Sequence, residues 1–448
     1  MISLSFKDFR GFHDQEFVDV RPITLLVGEN SAGKSSFLAG LKYAVDFVSG
    51  SGPPSFNKDP FQLGTFQQIS HYRGGKAGRA REFAINLKQT VRRRRKKGKS
   101  STPQLATISI RFANIESQAA VTSVTITSND ASLKIGLDQA DIKVEFISEG
   151  GGAQELTKPS TFPRAFRTEF PRYWPYLIQD LRFKLSRDEA AEEETLFDEP
   201  ESLTALLELG ERFAWGEKSL VDATSAIRTK PLRTYTPGVE VRDGEGSHVP
   251  FEMAKLYRAK NKEEWRKLKQ SLEEFGNTSD MFGSVEIKSF GNTASDPFQI
   301  QLSSDGPRTN LVDLGYGTSQ VLPILYQVST GTKNGMHLIQ QPEVHLHPKA
   351  QAALGEYFVQ SHKQTGQKFV LETHSDFIVD RVRNAVFKGV LKPEDVSIIF
   401  FERVRLETKA TQINLDANGD PIDVPNNYRL FFAKEQLRLL GAEDANDN

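Results

Sequence analysis

Residues 28–36, Gly-Glu-Asn-Ser-Ala-Gly-Lys-Ser-Ser, constrain this chain more than any other stretch, because they fill the phosphate-loop pattern G-x-x-x-x-G-K-[ST]. The flanks agree with it. Ile23-Thr24-Leu25-Leu26-Val27 reads as a buried strand, and Phe37-Leu38-Ala39-Gly40-Leu41 with Tyr43, Ala44 and Val45 reads as the helix that follows. In that setting Gly28, Glu29, Asn30, Ser31, Ala32 and Gly33 curl so that backbone N–H groups face phosphate oxygens at a helix N-terminus. Lys34 then meets the β- and γ-phosphates, the Ser35 hydroxyl holds a magnesium ion, and Ser36 caps and supports the turn. A Gly-rich turn arising by chance would lack the strand and the helix. The expected fold is α/β, and the expected ligand is a nucleoside triphosphate with Mg2+.

Bulk properties narrow the class further. The 448 residues suffice for two or three domains or for one elaborated α/β head. A net charge of −1 makes no global case for nucleic acid, so any such case rests on local patches. With no cysteine, disulfide staples, thiolate metal sites and a cysteine nucleophile are excluded. No apolar run approaches a membrane span, and Met1-Ile2-Ser3-Leu4-Ser5-Phe6 alternates like a strand, so a cytoplasmic protein without membrane contact is expected.

Residues 2–8 and 16–20 alternate around the turn Phe9-Arg10-Gly11-Phe12, which reads as a hairpin leading into the loop and brings Arg10 toward the phosphates. A Gly/Ser/Pro-rich connection follows at 49–60, and then Gln62, Gln67 and Gln68. Of these, Gln68 is the candidate for a magnesium shell. Strand-like segments at 83–87, 106–112, 121–126 and 142–147 predict an antiparallel sheet. Between the first two lies Arg92-Arg93-Arg94-Arg95-Lys96-Lys97-Gly98-Lys99, which fits either a DNA backbone or a solvated hairpin tip; it carries no aromatic residue for base stacking. Helical spacing marks Trp174, Leu177 and Ile178, then Leu203, Leu206, Leu207 and Phe213, and finally residues 263–275, with the acidic stretch 188–201 between the first two. Strands at 285–290 and 298–302 return the chain to the main sheet.

Three later stretches complete a site. Asp313-Leu314-Gly315-Tyr316-Gly317-Thr318-Ser319-Gln320 precedes an apolar helix and offers N–H donors together with the Ser319 hydroxyl. Met336-His337-Leu338-Ile339-Gln340-Gln341-Pro342-Glu343 is an apolar strand ending where a Walker B motif places its acids. Phe369-Val370-Leu371-Glu372-Thr373-His374-Ser375 is a second such strand, ending in a histidine able to meet a γ-phosphate. The alternation of Glu343, His345 and His347 argues against zinc.

Together with Phe9-Arg10-Gly11-Phe12 and Pro342-Glu343-Val344-His345-Leu346-His347-Pro348, these motifs resemble the RecF/SMC/OLD-like branch of the ABC-type ATPases. The resemblance implies a head in which two copies sandwich two ATP molecules. It assigns a signature acting in trans to Gly315, Gly317 and Ser319, a D-loop to residues 345–348 and a switch histidine to His374. Gln340, Gln341 and Glu343 fall in catalytic positions, and Ser35, Gln68 and Gln340 around the metal. The expected organisation is a first half-head with an antiparallel β lobe (1–165), a helical insertion (166–280), a second half-head (281–410) and a small extension (411–448). Relatives carry an acid just before the Pro-Glu pair, so the amides of Gln340 and Gln341 predict slow hydrolysis. No acidic cluster suited to a Toprim nuclease is apparent after Phe401. The resemblance therefore implies a dimer or higher oligomer that controls a partner effector, a nuclease or toxin of anti-phage defence. The alternatives are a DNA-repair clamp gripping DNA through Arg92 to Lys97 and an ATP-bound assembly scaffold.

Overall fold

A computed structural model describes residues 2–49, 54–75, 78–92, 103–129, 131–138, 141–148, 150–159, 174, 176–182, 200–215, 221–238, 242–304, 306–425 and 428. In chain order it contains β1 (Ile2–Phe9), β2 (Phe12–Val20), β3 (Ile23–Gly28), α1 (Lys34–Ser49), α2 (Phe66–Ile69) and the strands β4 (Glu82–Arg92), β5 (Pro103–Ile115), β6 (Gln118–Ser128), β7 (Ala131–Asp138), β8 (Asp141–Ile147) and β9 (Ala153–Pro159). These are followed by α3 (Pro200–Trp215), β10 (Val221–Thr224), α4 (Val249–Arg258), α5 (Glu263–Ser279), β11 (Ser284–Ser289), β12 (Phe298–Ser303) and β13 (Thr309–Asn310). The final group is α6 (Tyr316–Thr330), β14 (Met336–Gln340), α7 (Pro348–Thr365), β15 (Lys368–Glu372), α8 (Asp376–Phe387), β16 (Val396–Val404), β17 (Glu407–Leu415) and β18 (Pro421–Ile422).

The core sheet has the order β10-β14-β15-β3-β16-β17-β18, parallel through β16 and antiparallel beyond it. Parallel strands covered on both faces read as unbroken apolar runs, which is why 23–26, 336–339 and 369–371 were legible as strands. Alternate residues serve two cores. Leu26, Leu338, Val370 and Ile399 join the phenylalanine-rich cluster of Phe6, Phe9, Phe12 and Phe37, whereas Ile23, Leu25, Ile339 and Leu371 face the helices α5, α6, α7 and α8. All five parallel strands point their C-terminal ends toward one edge, where an open α/β sheet gathers its ligands.

The β lobe is one antiparallel sheet, β2-β1-β4-β5-β6-β7-β8-β9. It includes β7 and β9, which the expected four segments did not. Arg92, the last residue of β4, pairs with Pro103, the first of β5, and Arg93 to Lys99 of the basic run lie outside the described residues. Residues 188–199 and 430–440 lie outside them too. Trp174 anchors the following helical segment, its ring stacked 5.2 Å from Phe47 and its indole N–H donating to the Phe47 carbonyl at 3.2 Å. Residues 221–224 fall within the stretch expected as a helical insertion, but they form β10, an edge strand paired in parallel with β14. Val-Asp-Ala-Thr is too short and too mixed to carry a strand period. The small sheet β11-β12-β13 packs its Val285, Ile287 and Ile300 against Trp265, Leu268 and Leu272 of α5. Among the described residues no helix is long and apolar enough to cross a membrane.

Candidate nucleotide site

The phosphate loop bridges β3 and α1 at the C-terminal edge of the core sheet. Gly28 and Gly33 have φ of +132° and +105°, conformations open to glycine, and a side chain at Gly28 would collide with the Phe401 carbonyl of β16. The loop is thus moulded against β16, with Glu29, Asn30 and Ser31 at the surface and Ala32 buried. Lys34 folds back along the loop, its Nζ donating to the carbonyls of Gly28 at 3.0 Å and Glu29 at 2.6 Å. Burial lowers the pKa of this ammonium, and the charges of Glu372, Glu343 and Glu29 oppose that fall. Arg10, at the hairpin turn with φ +52°, reaches Ser36 Oγ with its Nε at 3.4 Å and the Gln68 carbonyl with Nη1 at 2.8 Å. The structure therefore brings Arg10, Lys34, Ser35 and Ser36 together.

The strands β14 and β15 deliver the acidic end. Their parallel register sets Gln340 beside Glu372, and β15 lies between β14 and β3. Ser35 Oγ meets both oxygens of Glu372, at 2.9 and 2.8 Å, and Gln340 Nε2 donates to Glu372 Oε2 at 3.5 Å. Burial raises the Glu372 pKa, opposed by the Ser35 hydrogen bond, the Lys34 charge and Gln340. Glu343 is 9% exposed; its Oε1 accepts the His374 backbone N–H at 2.6 Å. Its Oε2 has no hydrogen-bond partner, although the Thr373 hydroxyl is near enough to favour the charged form. Burial raises this pKa as well, with the backbone N–H bonds and the Arg228 charge opposing. The His374 ring faces outward, and partial desolvation with the Lys34 charge holds it below the usual imidazole range.

Arg228, which sequence reasoning missed, lies just beyond β10 at 2% exposure. Its Nη2 donates to the Gln340 and Gln341 carbonyls at 2.9 and 3.0 Å, pinning the end of β14. Burial lowers its pKa to about 10, partly offset by Glu343. Gln341 adopts φ +42° and its N–H donates to the Glu372 carbonyl at 2.7 Å, so its backbone turns the chain away from the strand.

Two candidates sit differently from the sequence expectation. Gln68 does not reach Ser35: its side-chain oxygen accepts the Thr65 N–H at 2.7 Å in a capping box on α2. Ser319 is only 5% exposed and its hydroxyl donates to the Tyr316 carbonyl at 2.7 Å, because a serine one turn into a helix bonds back to it. What α6 presents outward is its N-terminus at Gly315 and Tyr316. Gly317 is packed so closely on the His345 carbonyl that a side chain there would collide with it. The histidines do not converge: His345 stands edge-on to Tyr316 at 4.8 Å, and His347 caps α7 by accepting the Lys349 N–H at 3.3 Å. Among the described residues no group of three or more such side chains gathers at one metal position.

These residues fit a magnesium nucleoside triphosphate. A backbone cradle with a lysine meets the phosphates, while a hydroxyl, a carboxylate and an amide offer hard oxygen donors. Mg2+ is commonly held by one or two carboxylates plus phosphates and waters in this manner.

The AAA ATPase domain family matches residues 247–379, and the AAA domain family matches residues 3–279, more than half of the chain. Among curated proteins none matches. Solved structures to which the chain is similar include an Smc head bound to the C-terminal winged-helix domain of ScpA, at 9% identity, covering 92% of this chain and 98% of that one with a TM-score of 0.44. Others are the Smc head with extended coiled coil from Pyrococcus furiosus, bound to the C-terminal domain of ScpA (10% identity, 98% and 100% covered, TM-score 0.40), and the SMC head of Thermotoga maritima (10%, 94% and 98%, 0.37). The phosphate loop, the parallel sheet behind it and the family match over residues 3–279 lead to one assignment: the chain belongs to the AAA domain family, as a P-loop ATPase.

Proposed function

We propose that the chain is an ATP-driven switch in which two heads close over two nucleotides, and the closed state controls a partner effector, a nuclease or toxin of anti-phage defence. The observation that carries this reading is the outward-facing N-terminus of α6 at Gly315 and Tyr316. A phosphate loop leaves one side of the γ-phosphate open, and a helix N-terminus with glycine on either side of Tyr316 is suited to approach it from a second copy. Control of an effector rests on the family resemblance alone.

In the same reading Lys34 and the loop amides hold the β- and γ-phosphates, and Arg10 adds charge beside Ser36. Ser35 and the acidic end of the sheet would hold Mg2+, which when bound would neutralise phosphate charge. Glu343 Oε2, buried and unpartnered, orients the attacking water and takes its proton. The water oxygen bonds to the γ-phosphorus, the bond to the bridging oxygen breaks, and ADP and phosphate leave. The outward His374 ring donates to a γ-phosphate oxygen, an interaction lost on hydrolysis.

The test is a distance probe between heads with and without ATP in the unaltered chain and in Tyr316→Glu, which sets a negative charge at the helix N-terminus. ATP binding by the single head is expected to persist while closure is lost. Equal closure in both chains would contradict the sandwich.

A further inference from the structure

The sequence places an amide where the metal-supporting acid is expected, yet a carboxylate stands beside the phosphate-loop serine. We propose that Glu372 at the end of β15 is the carboxylate that supports the nucleotide's Mg2+, so that the acid absent from Gln340 is supplied by the neighbouring strand. This deepens the nucleotide-site reading above and rests on it.

Register carries the first part of the argument. Gln340 and Glu372 are direct partners in the parallel pair, so both end at the same level of the sheet. β15 is the strand that pairs with β3, with Glu372 opposite Leu26, so its end stands nearer the phosphate loop than that of β14. A carboxylate moved from one strand to the other changes its approach direction but not its depth.

Chemistry carries the second part. The Ser35 hydroxyl donates its proton to Glu372, which turns the oxygen lone pairs away from the carboxylate and leaves them for a cation. A hard dication prefers charged oxygen, and among Ser35, Gln340 and Glu372 only Glu372 carries charge. Gln340 keeps a subordinate part, its amide N–H making a long hydrogen bond of 3.5 Å to Glu372 Oε2. Glu343 is left free for water, since its own Oε1 is held by the His374 N–H. The two acids thus separate into one for metal and one for proton transfer, and hydrolysis does not require an acid at Gln340.

Mn2+ serves as the probe, read by electron paramagnetic resonance with a non-hydrolysable ATP analogue, alongside calorimetry of the analogue without metal. Glu372→Gln is expected to keep metal-free nucleotide binding and to weaken Mn2+ by about 10- to 100-fold, the range for loss of a supporting group. Glu372→Asp, which retains the charge on a shorter arm, should recover part of that loss. The exchanged pair Glu372→Gln with Gln340→Glu should recover Mn2+ binding by returning a carboxylate to the same depth. Unchanged Mn2+ affinity in Glu372→Gln would overturn the proposal while leaving the ATP site intact. Failure of the unaltered chain to bind the analogue at all would overturn both readings.

Discussion

Removing the Arg228 guanidinium tests whether a charge outside the nucleotide contacts sets the working pH of the site. In Arg228→Met the Gln340 and Gln341 carbonyls lose their charged donor, at about 1.5–3 kcal/mol for each bond, or about 3–6 kcal/mol together. Against this stands relief of a buried cation. Its pKa falls from 12.5 to about 10, a desolvation cost of about 3 kcal/mol, and its Nε and Nη1 have no partner. The net loss of stability is therefore modest, about 0–3 kcal/mol, read by urea unfolding. The functional effect is larger and has a sign. Glu343 is a buried carboxyl with a raised pKa, and the Arg228 charge is among the influences that hold it down. Without that charge the carboxylate forms at higher pH, so the acid limb of the pH profile for ATP turnover should move upward. Arg228→Lys keeps the charge with poorer geometry and should leave the limb in place. If the methionine and lysine variants share one acid limb, Arg228 does not act on Glu343 through charge.

Further outcomes follow from the same geometry. Gly317→Ala drives a methyl group against the His345 carbonyl and should cost about 1–3 kcal/mol of stability, with head closure lost first; an unchanged urea midpoint would mean that α6 and the His345 turn are not in close contact. Glu343 and Glu372 both lie above their ordinary value of 4.5 through burial, so the folded chain holds more protons than the unfolded one in that window. Their contribution to stability is therefore full below 4.5 and is lost as pH rises through the raised folded values; a urea midpoint series should show that slope, flattened in Glu372→Gln, and an opposite slope for this contribution would contradict it. Replacing Arg92, Arg93, Arg94 and Arg95 by serine should leave ATP affinity unchanged while any DNA binding weakens uniformly across sequences and loses salt dependence; a changed ATP affinity would tie the run to the nucleotide site.

The parts of the site carried by local pattern were legible in the sequence. The apolar run before Gly28, the glycine pair and the following helix are a contiguous signal, and the turn at Arg10 stands close in sequence to the strand it serves. Three features were not legible, because each depends on where strands or helices meet. Glu372 contacts a serine 337 positions away, and only the placement of β15 between β14 and β3 makes it a neighbour; a polar residue at the end of a short apolar strand was the available hint. Arg228 follows β10, whose four residues carry no clear period, so neither the strand nor its buried arginine had a signal. Ser319 and Gln68 were chosen by residue type, but back-bonding inside α6 and the cap on α2 use their polar atoms locally. Side-chain direction decided both cases.

The most direct test is calorimetry of ATP with magnesium on the unaltered chain and on Lys34→Ala. Lys34 Nζ already bonds two loop carbonyls at the position where the phosphates are expected, and exchanging those bonds for phosphate oxygens accounts for much of the affinity. With charge-assisted bonds at about 1.5–3 kcal/mol each, its loss should weaken ATP by about 100-fold or more. Thermal unfolding of the variant without nucleotide should remain cooperative. Equal ATP affinity in the two chains would contradict a phosphate site at residues 28–36.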